Sequence, residues 1–422
     1  MSLPPTKGGR SSTNQEFTAI ILAGLGGNLI PFSNPENLPK ALLPIANKAL
    51  ISYPLAWVEK AGITSTIILC LDAHEAAINS WLKTTWKGTS RPFLLAASSE
   101  DEVVGSADAI RTLLSDKHKD KVRSDVIILS CDTICEIPPH ELLDTHRLSN
   151  ASITAVFYRN HPADVLSPVK KGSKTFTAFE KSSSTLLYTN SEADIEDDLE
   201  LRTSMLWKFP KVDLTTSLTD LHLYVCRRAV LDLVRDEDAI ARINTDLLPL
   251  LCKAQFQSLL RSRHGLPDST CAKVYVPRTD HFCARVNTKQ AFVDMNRHVL
   301  KSLPSDARHP PSTTVGDRTT VGPDSALGPD STVDEKTTIK RTLIGSGVSI
   351  GKLCRLTNCI VMDGVVVRDQ VKLENCVLCV GAVVHDKASL KDCIVGGNVN
   401  VPEKTERKGE EMVVGGEISM GV

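Results

Sequence analysis

The sequence predicts an α/β domain with a mostly parallel sheet, followed by a parallel β-helix of hexapeptide-type coils. Three observations carry this reading: apolar runs alternate with amphipathic segments from Phe17 to about residue 158, a glycine-rich turn closes the first run, and the C-terminal region repeats with a short fixed period. Strands alternating with helices give a parallel sheet covered on both faces. A short period is the signature of a solenoid.

Residues 1–16, rich in Ser, Thr, Gly, Pro and Lys, read as a disordered leader. The α/β domain is expected over 17–300. Its elements are a strand at 17–23, a helix at about 50–61 closed by Gly62, a strand at 66–71, a helix at about 74–87 and a strand at 93–97. A helix follows from Ser106, whose hydroxyl can cap it, then a strand at 125–130, a helix opening at Pro138 and Pro139, and a strand at 151–158. The stretch from about 159 to 220 holds the acidic run SEADIEDDLE and the basic residues Lys170, Lys171 and Lys174, and reads as a solvated excursion.

The first strand ends at Gly24, Gly26 and Gly27, where backbone N–H groups can meet a ligand. The dinucleotide pattern G-x-G-x-x-G fails, because Gly24-x-Gly26 runs on into Gly27, Asn28 and Leu29. The P-loop pattern fails too, since no Gly-Lys-Ser/Thr follows.

With 422 residues, 41% of them hydrophobic, the chain is large enough for two or more domains. A net charge of −1 supplies no basic stripe for a long polyanion, so nucleic acid is not an expected partner. Nothing approaches 18 consecutive apolar residues, and Met1 to Glu16 lacks a signal-peptide core; a soluble, cytosolic protein without a membrane partner is expected. Its 12 cysteines then read as reduced thiols, and the single C-x-x-C at Cys376 and Cys379 has no second pair at zinc-site spacing.

After a linker at 301–314, Val315, Val321, Leu327, Val333 and Ile339 recur every six residues. From Arg341 the period becomes 17, in RTLIGSGVSIGKLCRLT, NCIVMDGVVVRDQVKLE and NCVLCVGAVVHDKASLK. Stacked coils align Leu343, Ile360, Val377 and Ile394; Val348, Val365, Ala382 and Val399; Gly347, Gly364 and Gly381 at turns; and Cys359, Cys376 and Cys393. The solenoid is expected over 315–401 with a tail at 402–422, and its flat apolar sides are expected to pack against partner subunits. His385, alone in this segment, gives no acyltransfer constellation.

The start of the chain resembles the sugar-phosphate nucleotidyltransferases: Leu22, Ala23, Gly24, Pro39, Lys40 and Leu42 match their signature. The resemblance implies a Rossmann-like nucleotidyltransferase-type domain, with a left-handed β-helix behind it. It also implies that Gly105, Ser106, Ala107 and Asp108 correspond to a Gly-Thr-Ala segment lying against the nucleotide base, and that Asp132 corresponds to one carboxylate ligand of Mg²⁺. Two departures matter. Asn28 or Leu29 stands where the triphosphate-holding arginine is expected, and Arg285 stands at the second metal carboxylate, where a guanidinium would repel the ion. Arg285 could instead pair with Asp132.

The runs RINTDLLPLLCKAQF (242–256), RVNTKQAFVDMNR (285–297) and YPLAWVEKAGI (53–63) are similar to the gamma-subunit family of eukaryotic initiation factor 2B. That resemblance implies a non-catalytic member of a guanine-nucleotide exchange complex. Such a chain pairs with a catalytic epsilon subunit and further subunits of the initiation factor 2B complex, which acts on initiation factor 2. Gly24, Gly26, Gly27, Lys40, Gly105, Ser106 and Asp132 then form a vestigial nucleotide site, with no catalytic residue, metal or cofactor expected. The competing expectation is an active mannose-1-phosphate guanylyltransferase or related pyrophosphorylase, which needs a cationic triphosphate grip and two metal carboxylates.

Overall fold

A computed structural model describes residues 16–33, 38–97, 105–115, 117–159, 174–192, 201, 203–304, 308–413 and 416–419. The leader before Glu16, Lys170, Lys171 and most of the acidic run lie outside the described residues. Among the described residues no helix is long and apolar enough to cross a membrane.

Strand Phe17–Ala23 lies between Thr66–Leu71 and Asp125–Ser130, parallel to both, and Phe93–Ala97 extends this parallel block. Alternate residues of the central strand point to opposite faces. Ile20 joins a core covered by helices Ser106–Leu113, Arg228–Asp236 and Leu248–Ala254. Ala19, Ile21 and Ala23 join another, under Ser52–Lys60, Asp72–Thr84 and Pro139–Ser149. These strands are mostly apolar because helices cover both faces of the sheet.

Beyond Asp125–Ser130 the sheet changes direction. Strand Leu218–Cys226 runs antiparallel to it and to Ile153–Arg159, so it fills the gap left by the helical crossover between those two. Ala272–Tyr275 pairs parallel to Ile153–Arg159, and Thr185–Ser191, Thr175–Glu180 and Asp213–Thr215 follow antiparallel, completing ten strands. The described part of 159–220 is therefore no solvated excursion. Ala178 and Leu186 are fully buried, because TFTAFE and TLLYTNS alternate apolar and polar residues and fit the edge of the sheet.

The C-terminal region is a parallel β-helix with three faces of six strands each. Leu343, Ile360, Val377 and Ile394 pair in register, as do Ile344, Val361, Leu378 and Val395. Gly347, Gly364 and Gly381 turn corners at φ 63°, 67° and 71°, in the left-handed region where glycine is unstrained. The stack does not stop at residue 401. Glu406–Lys408 pairs with Ser389–Lys391, and Glu410–Val413 pairs with Ile394–Val395 before folding back on Gly416–Ser419. Arg407 takes the register place of Leu390, so the apolar repeat ends while the backbone ladder goes on.

The two columns of one face point opposite ways. Ile344, Val361, Leu378 and Val395 fill the solenoid, whereas Leu343, Ile360 and Val377 point outward against Phe32, Leu43, Leu50, Phe292 and Met295 of the α/β domain. One apolar side of the solenoid is thus covered by the chain's own first domain. The contact is carried by helix Lys289–Ser302, which Thr288 caps through Ala291 N–H at 3.1 Å. It is also carried by the hairpin Pro44–Ala49, whose Asn47 donates to the Ile344 carbonyl at 2.9 Å. Lys289 pairs with Glu411 of the last coil.

Candidate functional site

The parallel strands end at the glycine turn and at Asp132, as ligand-facing strand ends do in open α/β sheets. Gly26 sits at φ 74°, and a Cβ there would stand 2.7 Å from Cδ and 2.8 Å from Cβ of Lys40. The turn needs glycine because the lysine stem runs across it. Added Cβ atoms at Gly24 and Gly27 would meet nothing within 4 Å.

Lys40 crosses that turn to reach Asp132, with which it pairs. Asp132 is fully buried. Strand Cys283–Arg285 runs antiparallel to Thr133–Cys135, and the Val286 N–H donates to the Asp132 carbonyl at 2.9 Å. This register brings Arg285 onto the carboxylate, with Nη2 3.1 Å from Oδ2 and Nε 3.3 Å from Oδ1. Burial alone would raise the Asp132 pKa, but the charges of Arg285 and Lys40 outweigh it and hold the carboxyl well below the usual range. The arginine responds in kind, its pKa raised by Asp132 against the effect of burial. The pairing expected from the sequence is present.

Three neighbours were not foreseen. Strand Leu218–Cys226 shifts register between Asp220 and Tyr224, and His222 at the bulge has φ 53°. The Asp220 carboxylate accepts from the His222 N–H at 2.8 Å and from the Tyr224 hydroxyl. Burial first, then the nearby Arg285 charge, pushes the His222 imidazole down to about 4, so it is neutral at physiological pH. Two cations, Lys40 and Arg285, thus face two carboxylates, Asp132 and Asp220. A histidine two residues after an aspartate in an apolar strand was the available signal, but the partner of such a bulge is set by the sheet.

Gly105 and Ser106 lie apart from this cluster's hydrogen bonds, against residues 241–243. The Ser106 hydroxyl accepts from the Ile243 N–H at 2.9 Å and does not cap its own helix; that N-cap position belongs to Gly105, whose N–H reaches Asp108 Oδ2 at 3.1 Å. A Cβ at Gly105 would stand 2.1 Å from the Ala241 carbonyl oxygen. Arg111 ties the same loop down through the Glu237 and Ile240 carbonyls at 2.8 and 2.9 Å. The serine faces the chain's own backbone.

The set does not fit a divalent metal. Both Asp132 oxygens are engaged by cations, and a metal would have to displace a guanidinium from a buried partner. Among the described residues no group of three or more His, Cys, Asp or Glu is placed to hold one.

A nucleotidyltransferase-type domain whose acidic strand end is paired with arginine, joined to a left-handed β-helix, defines the class of protein. Residues 18–167 match the nucleotidyl transferase family model, and residues 309–406 match that of the EIF2B subunit epsilon LbH domain. The translation initiation factor eIF2B subunit gamma of Schizosaccharomyces pombe is 34% identical over 329 residues, 72% of this chain and 71% of its own. The chain belongs to the eIF2B gamma-subunit family. The epsilon subunit of the same yeast is 30% identical over 34% of this chain and 21% of its own, and a mannose-1-phosphate guanyltransferase of Debaryomyces hansenii is 29% identical over 32% and 36%.

Proposed function

We propose that this chain is a non-catalytic subunit of a cytosolic initiation factor 2B complex, pairing with an epsilon-type subunit to promote GDP/GTP exchange on initiation factor 2. The observation that carries the reading is Asp132 held between Lys40 and Arg285. Nucleotidyl transfer needs in-line attack with a cationic grip on the triphosphate and metal-borne neutralisation of developing charge. Here Lys40, which matches the signature lysine, pairs with a protein carboxylate, and no arginine stands at Asn28 or Leu29. Gly24, Gly26, Gly27, Lys40, Gly105, Ser106 and Asp132 are on this reading the remnant of a nucleotide site, kept as structure. The subunit contributes surface and position, with neither nucleic acid nor membrane as a partner.

The test is release of labelled GDP from initiation factor 2 by this chain, by the epsilon-type subunit, and by both. Stimulation is expected from the pair above epsilon alone, and none from this chain by itself. The same preparation, given Mg²⁺, GTP or ATP and a sugar 1-phosphate, should show no pyrophosphate exchange. Turnover that Asp132→Ala abolishes would restore the guanylyltransferase reading.

A further inference from the structure

Two cysteines far apart in sequence, Cys135 and Cys283, face each other across the two-stranded sheet that brings Arg285 to Asp132. Their Sγ atoms are 3.8 Å apart, and 148 residues separate them along the chain. The hydrogen bonds fix what kind of pair this is. Glu136 N–H donates to the Phe282 carbonyl at 2.9 Å and Val286 N–H to that of Asp132 at 2.9 Å, so the pairs 136/282 and 132/286 are hydrogen-bonded. With alternation along an antiparallel ladder, 135/283 is a non-hydrogen-bonded pair, where Cα atoms stand roughly 4.5 Å apart and side chains are closest. That separation lies inside the roughly 4.4–6.8 Å that a disulfide spans. Side-chain rotation is enough to join them.

We propose that Cys135 and Cys283 form a thiol-oxidation site that takes a peroxide and closes a reversible disulfide across this sheet. The Cys283 thiolate attacks one peroxide oxygen; the O–O bond breaks, the leaving oxygen departs as water or an alcohol, and Cys283 becomes a sulfenic acid. The Cys135 sulfur then attacks the Cys283 sulfur, the S–O bond breaks, and the hydroxyl leaves as water with the Cys135 proton. Two thiols are oxidised by two electrons and one peroxide is reduced.

The division of labour follows from the surroundings. The Cys135 thiol beside it and the N–H groups of Glu136 and Ile137 favour Cys283 as thiolate, outweighing its burial. The shared hydrogen bond and burial push Cys135 well up, which suits a thiol that reacts second. Cys135 is partly buried and Cys283 is buried beside it, so only a small oxidant reaches the pair, past Cys135, whereas Cys359, Cys376 and Cys393 are closed inside the solenoid. In a reducing compartment such a bond is transient, as cytosolic disulfides of this kind are. It would staple the strand bearing Arg285, and helix Lys289–Ser302 beyond it, onto the first domain.

The experiment treats the folded full-length protein with hydrogen peroxide, removes the peroxide, unfolds the protein in denaturant containing excess alkylating agent so that every remaining thiol is blocked, and maps peptides without reduction. A linked peptide containing Cys135 and Cys283, lighter by two hydrogens and released by dithiothreitol, is expected. The oxidised protein should melt several degrees higher than the reduced one. Cys135→Ser and Cys283→Ser should both lose the link and the shift, with Cys283 advancing to sulfinic acid in Cys135→Ser. Wild-type protein in which both cysteines remain alkylated, or in which Cys283 over-oxidises unlinked, or in which another pair links first, would overturn the proposal.

Discussion

Asp132 is ionised although it is fully buried, and its two cations are what make that possible. Asp132→Asn leaves Lys40 and Arg285 with no full counter-charge, and a loss of roughly 3–5 kcal/mol is expected by chemical denaturation, the usual result of breaking a buried pair. Because the folded carboxyl lies below its unfolded value, its contribution is complete above about pH 4 and disappears as pH falls from there towards the folded value. Arg285→Asp should be at least as damaging, since carboxylates then face each other, and should give no transferase activity because the triphosphate grip is still absent. His146 acts at higher pH. It is buried, its Nδ1 lies 2.8 Å from the Thr154 hydroxyl, and burial lowers it to about 4 from an ordinary 6.5. A neutral histidine stabilises fully above pH 6.5, and that stability drains away as pH falls to about 4. Unfolding free energy measured across this window should drop on the order of 3 kcal/mol less in His146→Gln than in wild type.

Within the solenoid, each coil leans on its neighbours, so damage to one spreads. Val365 is fully buried inside it, and Val365→Asp should cost several kcal/mol, with hydrogen exchange rising in the coils before and after. Gly364 and Gly381 separate two causes of strain. Both have positive φ, but a Cβ at Gly364 meets nothing within 4 Å, whereas one at Gly381 stands 2.3 Å from Asn398 Oδ1. Gly381→Ala should therefore lower the melting temperature more than Gly364→Ala, each losing about 1–2 kcal/mol or more. Equal losses would mean that φ alone decides.

Across the whole molecule, the outward column of Leu343, Ile360 and Val377 shares one apolar cluster with Phe32 and Phe292, whose rings stand 4.9 Å apart. A shared core couples the melting of its two halves, so a single calorimetric transition is expected for wild type. Ile360→Asp puts a charge in that interface without entering the solenoid, and should split the transition in two while the repeat keeps its circular dichroism. Val365→Asp, in the same coil but inside it, should instead remove the solenoid's own transition. A side of the solenoid whose apolar column was expected to pack against partner subunits is occupied by the chain's own first domain.

The sequence determined the strands of the parallel block and the 17-residue register because both are written in local pattern, and the resemblance to the nucleotidyltransferases set Arg285 against Asp132. Leucine, isoleucine and valine periodicity names a coil without tertiary help. What periodicity cannot say is which side of a two-residue strand looks inward: Leu343 and Ile344 are equally apolar, and burial on both faces erases the alternation that would tell them apart. The antiparallel Leu218–Cys226, inserted between strands that precede it by some sixty residues or more, was likewise invisible, and with it Asp220, His222 and Tyr224. Long-range pairing is chosen by the sum of contacts over the whole sheet, so only the tertiary structure decided it.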